Sequence, residues 1–180
     1  MFINYYNKYK SINILLISSA IFYILFTVFG FYIGDMFSLG SIEKSKQLTS
    51  NPLDYFNHNI VSLLYFLSGL FTFGLGSIYS LAVNGVMLGV SLEAMSNKAS
   101  FLGSLVYIIP HGIFEIPAMI IAGAIGLYPW QLIYQFLKGD KRIKIQWRLL
   151  AKLSCIMVGL LFIAGCVEAW VTPYVIKLIL

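Results

Sequence analysis

Apolar residues form several long stretches along the chain, separated by short polar segments. The apolar stretches cover residues 12–33, 59–79, 81–92, 101–136 and 149–171. An α-helix needs about 20 mostly apolar residues to cross the hydrocarbon layer of a bilayer. The pattern therefore predicts an all-α, polytopic transmembrane helical bundle that forms a single integral membrane domain over residues 1–180.

The stretch 101–136 is too long for one simple span and contains Pro110 and Pro117. Each proline lacks a backbone donor and leaves a carbonyl one turn earlier without its usual partner. We therefore expect a proline-broken segment around 110–117, either as one kinked helix or as two shorter pieces. The whole chain is then expected to have about five spans, with six possible.

The polar segments predict the orientation of the chain in the membrane. Basic residues concentrate in 138–148, and Lys8 and Lys10 precede the first apolar stretch. Because cytoplasmic loops carry an excess of lysine and arginine, 138–148 is predicted to be a cytoplasmic basic loop and the N-terminus to be cytoplasmic. Residues 36–57 then form an external loop, and five spans place the C-terminus outside.

The composition agrees with a cell-membrane location. Hydrophobic residues make up 59% of the chain and charged residues 11%, with a net charge of +5. Soluble domains carry about 25% charged residues, so the lipid bilayer is the expected surrounding. A clustered basic face with stacking aromatics is missing from the sequence, and nucleic acid is not predicted as a partner.

Small residues recur at helix-packing spacing, as in Gly30/Gly34 and Gly85/Gly89. Such pairs allow helices to approach closely in lipid. We interpret them as contacts within the bundle in preference to a dimer interface, although a homo-oligomer remains possible.

His111 and Glu115 are the most informative polar residues, because they are four positions apart and share one helix face. Ionisable residues at membrane depth are costly and find partners. Glu168 and Asn84 are the expected partners, which gives an intramembrane polar network of four residues flanked by the helix-breaking Pro110 and Pro117. Glu93, near a predicted membrane boundary, is expected to be solvated.

Three interpretations of this network stay open: a structural lock between helices, a proton or solute pathway, and a metal-dependent catalytic site. The metal alternative uses His111, Glu115 and Glu168, with His58 in reserve, since zinc usually needs at least three ligands. The sequence has no HExxH motif, no Gly-x-Ser-x-Gly elbow and no Walker loop. No metal, no cofactor and no enzymatic activity are therefore predicted.

The run from Ile109 to Ala118, Ile-Pro-His-Gly-Ile-Phe-Glu-Ile-Pro-Ala, closely resembles the signature of the stage II sporulation protein M family. Asn84-Gly85 and the segment from Glu168 to Pro173 resemble further family elements. The resemblance implies matched positions of unassigned role at His111, Glu115, Asn84 and Glu168. It also implies a multi-pass protein that, in endospore-forming bacteria, acts at the septal membrane with peptidoglycan-degrading partners. Relatives in organisms that do not sporulate mean that the family alone does not establish sporulation.

Two functional hypotheses follow. The first is a non-enzymatic component of a membrane complex, acting either in envelope remodelling or sporulation with peptidoglycan-degrading partners, or as a permease-like subunit with an ABC-type ATPase. The alternative is an intramembrane metal-dependent hydrolase that uses His111, Glu115 and Glu168.

Overall fold

The computed structural model describes residues 2–37, 50–139 and 145–179, and nearly all of them are helical. The α-helices are α1 (Phe2–Phe37), α2 (Pro52–Leu67), α3 (Leu75–Gly126), α4 (Tyr128–Leu137), α5 (Trp147–Cys166) and α6 (Thr172–Ile179). A 3-10 turn at Ser68–Leu70 follows α2, and a π-helical turn at Val167–Val171 joins α5 to α6. The predicted all-α class is confirmed.

The two predicted loops are only partly described. Residues 38–49 of the external loop and 140–144 of the basic loop lie outside the described residues. The remainder of the external loop is shorter than predicted, because α2 begins at Pro52. The side chain of Asn51 caps this helix by accepting a hydrogen bond from the Leu53 amide at 3.1 Å.

Four helical stretches of the described chain are long and apolar enough to cross a membrane: Ser11–Phe37, Leu75–Asn97, Phe101–Leu137 and Trp147–Leu178. The predicted stretch 59–79 is not one helix. α2 ends at Leu67, and the chain turns through Gly74, whose φ of +88° favours a residue without a Cβ. With 16 residues, α2 is about 24 Å long, which is shorter than the roughly 30 Å hydrocarbon layer.

α3 contains 52 residues and reverses direction within its length. A straight helix would separate Ser77 from Gly126 by about 73 Å. Instead, the Ser77 hydroxyl lies where a Cβ on Gly126 would be, and Leu81 packs against Gly123. The two ends of α3 therefore lie side by side. We call residues 75–97 the first arm and residues 101–126 the second arm.

The second arm is one helix through Pro110 and Pro117, so the structure shows the first of the two predicted forms of this segment and not two shorter pieces. Both prolines lie inside the helix, and the chain reverses before it reaches them. Each proline removes only one N–H donor. In lipid, a continuing helix leaves fewer backbone groups without partners than a break would, because water is not there to replace them.

Hydrogen bonds at one end of the bundle show where several helices meet. The Ser77 hydroxyl donates to the Phe66 carbonyl at 2.5 Å, and both groups lie beside Gly126. α2, the first arm and the second arm therefore share this end. The Gln146 amide donates to the Tyr128 hydroxyl at 3.0 Å, so α5 begins at the same end.

The direction of α1 completes the arrangement. The Ser19 hydroxyl donates to the Ile120 carbonyl at 2.9 Å, near the shared end. From there α1 runs parallel to the first arm. Tyr23 lies beside Gly85, and further along both helices Gly34 lies beside Glu93, where a Cβ on Gly34 would be 3.1 Å from the carboxylate. α1, α2, the first arm, the second arm and α5 thus alternate in direction, in agreement with about five passes.

The glycine pairs predicted to mediate helix packing do so within the chain. A Cβ on Gly30 would overlap the backbone of Val86, and one on Gly89 would overlap the Thr27 carbonyl oxygen and the Phe31 amide. The backbones of α1 and the first arm are therefore in direct contact. This confirms the interpretation of these pairs as contacts within the bundle.

We predict that Ser50 and Gly139 lie on opposite sides of the membrane. In a chain with Cys155 and Cys166 replaced by alanine, Ser50→Cys should react with a membrane-impermeant maleimide in intact cells. Gly139→Cys should react only after permeabilisation, because the neighbouring basic residues favour the cytoplasmic side. The reverse pattern would contradict the orientation, and labelling of both from one side would contradict the alternating passes.

Candidate functional site

His111, Glu115 and Glu168 come together in the folded chain, and we call them the polar trio. His111 and Glu115 lie one turn apart on the second arm, and Glu168 lies in the π-helical turn after α5. Each residue offers one ligand atom, an imidazole nitrogen or a carboxylate oxygen, and these atoms all lie within 4.8 Å of one another. Three of the four residues predicted to form a network are therefore adjacent.

The π-helical turn that carries Glu168 has a local cause in the sequence. Pro173 cannot donate a backbone hydrogen bond, and its ring would clash with the carbonyl one turn earlier in an ordinary α-helix. The amide of Thr172 instead bonds the carbonyl of Val167, five residues back, and its hydroxyl donates to the same carbonyl at 3.2 Å. Such π turns are frequent at functional sites. The helix continues beyond Pro173 as α6, so it extends past residue 171, where the last apolar stretch ends in the sequence.

The trio lies deep in the apolar part of the bundle. From Phe101 to His111, and from Glu168 to Leu178, the helix rises about 15 Å, and both distances are measured from the same end of the bundle. This is about half of the roughly 30 Å hydrocarbon layer. Two carboxyl groups and an imidazole thus meet well inside helical stretches that are long and apolar enough to cross a membrane, and unpaired charge is costly within a bilayer.

All three side chains are half-buried. The neighbouring Ile113 and Trp170 side chains are 60% and 62% exposed, as expected of lipid-facing residues. The trio therefore lies at the edge of a helix interface, with protein on one side and apolar surface on the other.

Tyr23 adds a polar group from α1 that the sequence pattern did not single out. Its side chain is 4% exposed, and its hydroxyl is within electrostatic range of the Glu115 carboxyl. A tyrosine in an apolar span is usually interpreted as a packing or interfacial residue. The packing of α1 against both arms, seen at Ser19 with Ile120 and at Tyr23 with Gly85, brings Tyr23 toward the trio.

Asn84 does not join the trio in the expected way. Its side-chain amide donates to the carbonyl of Ser80 at 2.8 Å, one turn earlier on the same helix. This bond satisfies the donor locally, because a carbonyl four residues back lies within reach of a short polar side chain. Of the four residues predicted to form the network, the structure brings together His111, Glu115 and Glu168, with Tyr23 nearby, and gives the Asn84 amide a bond on its own helix.

Two other ionisable residues considered in the sequence, His58 and Glu93, lie outside the polar trio. His58, considered as a reserve ligand, is exposed on α2 and is not part of the trio. Glu93, expected to be solvated, is only 3% exposed and accepts a hydrogen bond from the Asn97 amide group. Gly34 provides the space for it on α1, which the apolar pattern of the first arm could not indicate.

The chemistry open to the trio follows from its donor set. Two carboxylates and one imidazole can share protons among themselves, which removes net charge from a site of low dielectric constant. The same atoms are ligands for a divalent cation. In the described part of the chain, no fourth histidine, cysteine, aspartate or glutamate belongs to this group.

Comparison with known proteins identifies the family. A family model described as Stage II sporulation protein M matches residues 18–173, a range that includes the trio and both prolines of the second arm. The chain is 29% identical over 166 residues to an uncharacterized protein of Methanocaldococcus jannaschii, covering 83% of this chain and 93% of that protein. No solved structure matches the chain. The resemblance expected from the residues around His111 is thereby confirmed: this membrane protein belongs to the Stage II sporulation protein M family.

Proposed function

We propose that the chain is a non-enzymatic component of a membrane complex that acts in remodelling of the cell envelope. In this proposal, the polar trio fastens the second arm to the C-terminal helix and so sets the shape that partner proteins recognise. The observation that carries the proposal is the convergence of His111, Glu115 and Glu168. The family description, with its reference to sporulation, supports an envelope role.

The composition of the trio favours a non-enzymatic role. In zinc peptidases of the HExxH type, a glutamate that is not a ligand acts as general base beside the metal. Among the described residues, the trio has no additional acid or histidine to fill that role. Its ionisable groups are sufficient to hold a proton or a cation but provide no separate base.

The proposal is tested by purification of the tagged full chain from its native membranes after cross-linking in cells. We expect a discrete complex with a stable ratio of this chain to other membrane or envelope proteins, peptidoglycan-degrading proteins among them. His58→Ala should leave the complex intact, whereas His111→Ala should weaken it. A chain recovered alone, or only as copies of itself, would contradict the proposal.

A permease-like subunit is the second form of this proposal, favoured by the position of ionisable groups inside helical stretches that are long and apolar enough to cross a membrane. It predicts proton or solute flux in proteoliposomes that Glu115→Gln abolishes while the chain stays folded. An ABC-type ATPase in the purified complex would support this form. Equal flux in the wild-type and substituted proteins would reject it.

An intramembrane metal-dependent hydrolase is the alternative, favoured by the approach of three ligand atoms to within 4.8 Å. It predicts that zinc-loaded protein hydrolyses peptide, peptidoglycan or phospholipid substrates and that chelation stops the reaction. Our proposal predicts no turnover above that of His111→Ala protein in the same preparation.

A further inference from the structure

We propose that the polar trio binds one Zn²⁺ ion, with the imidazole of His111 and the carboxylates of Glu115 and Glu168 as its ligands. This inference rests on the proposed function, in which the polar trio joins the second arm to the segment after α5, and it names the ligand that the trio binds. The ion would link the second arm to the π-helical turn, two segments that are far apart in the sequence.

The charge of the trio favours a divalent cation. Two ionised carboxylates and a neutral imidazole carry a charge of about −2, which is costly inside a bilayer. A divalent ion cancels this charge with no proton left to place, because metal ligands bind in their deprotonated forms. Two protons would also neutralise the site, but they would link the helices only through hydrogen bonds, whereas a metal ion binds all three side chains at once.

The ligand atoms of the trio need to move only slightly to match the distances in a zinc site. In a tetrahedral zinc site with bonds of 2.0–2.1 Å, ligand atoms are roughly 3.4 Å apart. The three atoms of the trio are within 4.8 Å of one another, and rotation about the side-chain bonds of the two glutamates can shorten these distances. Zinc sites with three protein ligands commonly take a water molecule as the fourth ligand, and the trio is not fully buried.

The donor types select among metals. Carboxylates alone favour magnesium, calcium or manganese, whereas imidazole favours zinc, copper, iron or nickel. A single imidazole with two carboxylates therefore matches a first-row transition metal. Zinc fits best because it imposes no geometry through its d electrons and accepts the four-coordinate arrangement of three side chains and water.

The test is metal binding by the full chain, purified in detergent, stripped with chelator and reloaded with Zn²⁺. We expect about one zinc per chain by elemental analysis, and a melting temperature that rises with zinc and falls on chelation, because binding to the folded state stabilises it. Replacement of a ligand, as in His111→Ala or Glu168→Gln, should lower zinc affinity at least about tenfold, which is the effect of losing an outer-shell group.

Matched controls make the result specific. His58→Ala removes the other histidine, which is exposed on α2, and Glu93→Gln alters a buried acid outside the trio; both should retain zinc. Binding lost equally in the controls, or kept in the ligand variants, would overturn the proposal. If the variants fail to fold, the wild-type protein still decides: no bound zinc and no zinc-dependent rise in melting temperature would overturn it.

Two further measurements separate this inference from the proposed function. In Co²⁺-loaded protein, Glu168→Cys should produce a sulfur-to-cobalt charge-transfer band, which a purely structural role of Glu168 would not produce. If zinc does not bind but His111→Ala still weakens the membrane complex, the zinc site fails and the polar lock remains. If zinc binds and no complex is found, the zinc site stands and the proposed function fails.

Discussion

Replacing Gly89 with alanine should prevent the chain from reaching a stable folded state, because the added Cβ would overlap the backbone of α1. The overlapping groups are the Thr27 carbonyl oxygen and the Phe31 amide. A side chain can rotate away from a clash, but a helix backbone can only shift as a whole. Overpacking of a tight core typically costs about 1–3 kcal/mol, and contact between two backbones places Gly89→Ala at or above the top of this range.

Gly159→Ala is the matched control for this substitution. Gly159 is also a helical glycine, but it is exposed, and a Cβ there would meet nothing within 4 Å. Alanine is the better helix former by roughly 1 kcal/mol, so Gly159→Ala should leave the stability unchanged or raise it. The measurements are monodispersity by size exclusion and thermal unfolding in detergent. Similar behaviour of the two variants would show that α1 and the first arm do not pack as described.

The second large effect is expected from His111→Ala in metal-free protein. Without the imidazole, the carboxyl groups of Glu115 and Glu168 face each other with one polar neighbour fewer. Breaking a fully buried pair costs about 3–5 kcal/mol. Because the trio is half-buried and partly screened, we expect a loss of about 2 kcal/mol. His58→Ala, on the exposed face of α2, should change the stability by less than about 0.5 kcal/mol.

A double substitution tests whether the loss arises inside the trio. Glu168→Gln removes one of the two carboxylates, so combining it with His111→Ala should cost less than the sum of the two single substitutions. Unfolding of the four proteins, wild type included, measures this coupling. Additive losses would mean that His111 and Glu168 contribute independently. They would contradict the proposal that the trio joins the second arm to the π-helical turn.

The candidate site was predictable in part from local sequence. His111 and Glu115 share a helix face because their spacing matches the helical repeat, and the second arm is a helix through both residues. Glu168 was expected as a partner only from its chemistry, since its distance from Glu115 depends on the packing of α5 and α6. Asn84 satisfied the same chemical criterion, yet it bonds to its own helix at Ser80. Chemical type alone therefore did not distinguish the two.

Local sequence also misjudged the breaks in the chain. The sequence left open whether the segment with Pro110 and Pro117 is one helix or two pieces; it is one helix, because lipid provides no solvent for freed backbone groups. The turn before α3 falls inside an apolar stretch, at Gly74, where only backbone conformation reveals it. Pro173 likewise does not end its helix. The π-helical turn before it shifts the hydrogen bonds by one residue, and the helix continues.

The sequence by itself determined the class of the protein and its family, because apolar length and the run around His111 are properties of consecutive residues. It also identified two glycine pairs, Gly30/Gly34 and Gly85/Gly89, that bring helices together. Only the tertiary structure decided that α3 folds back on itself, that Glu93 is buried beside Gly34, and that Tyr23 and Glu168 approach Glu115. These contacts join residues that are distant in the chain. Their formation depends on the relative positions of whole helices, which the backbone contacts of α1 with the first arm help to set.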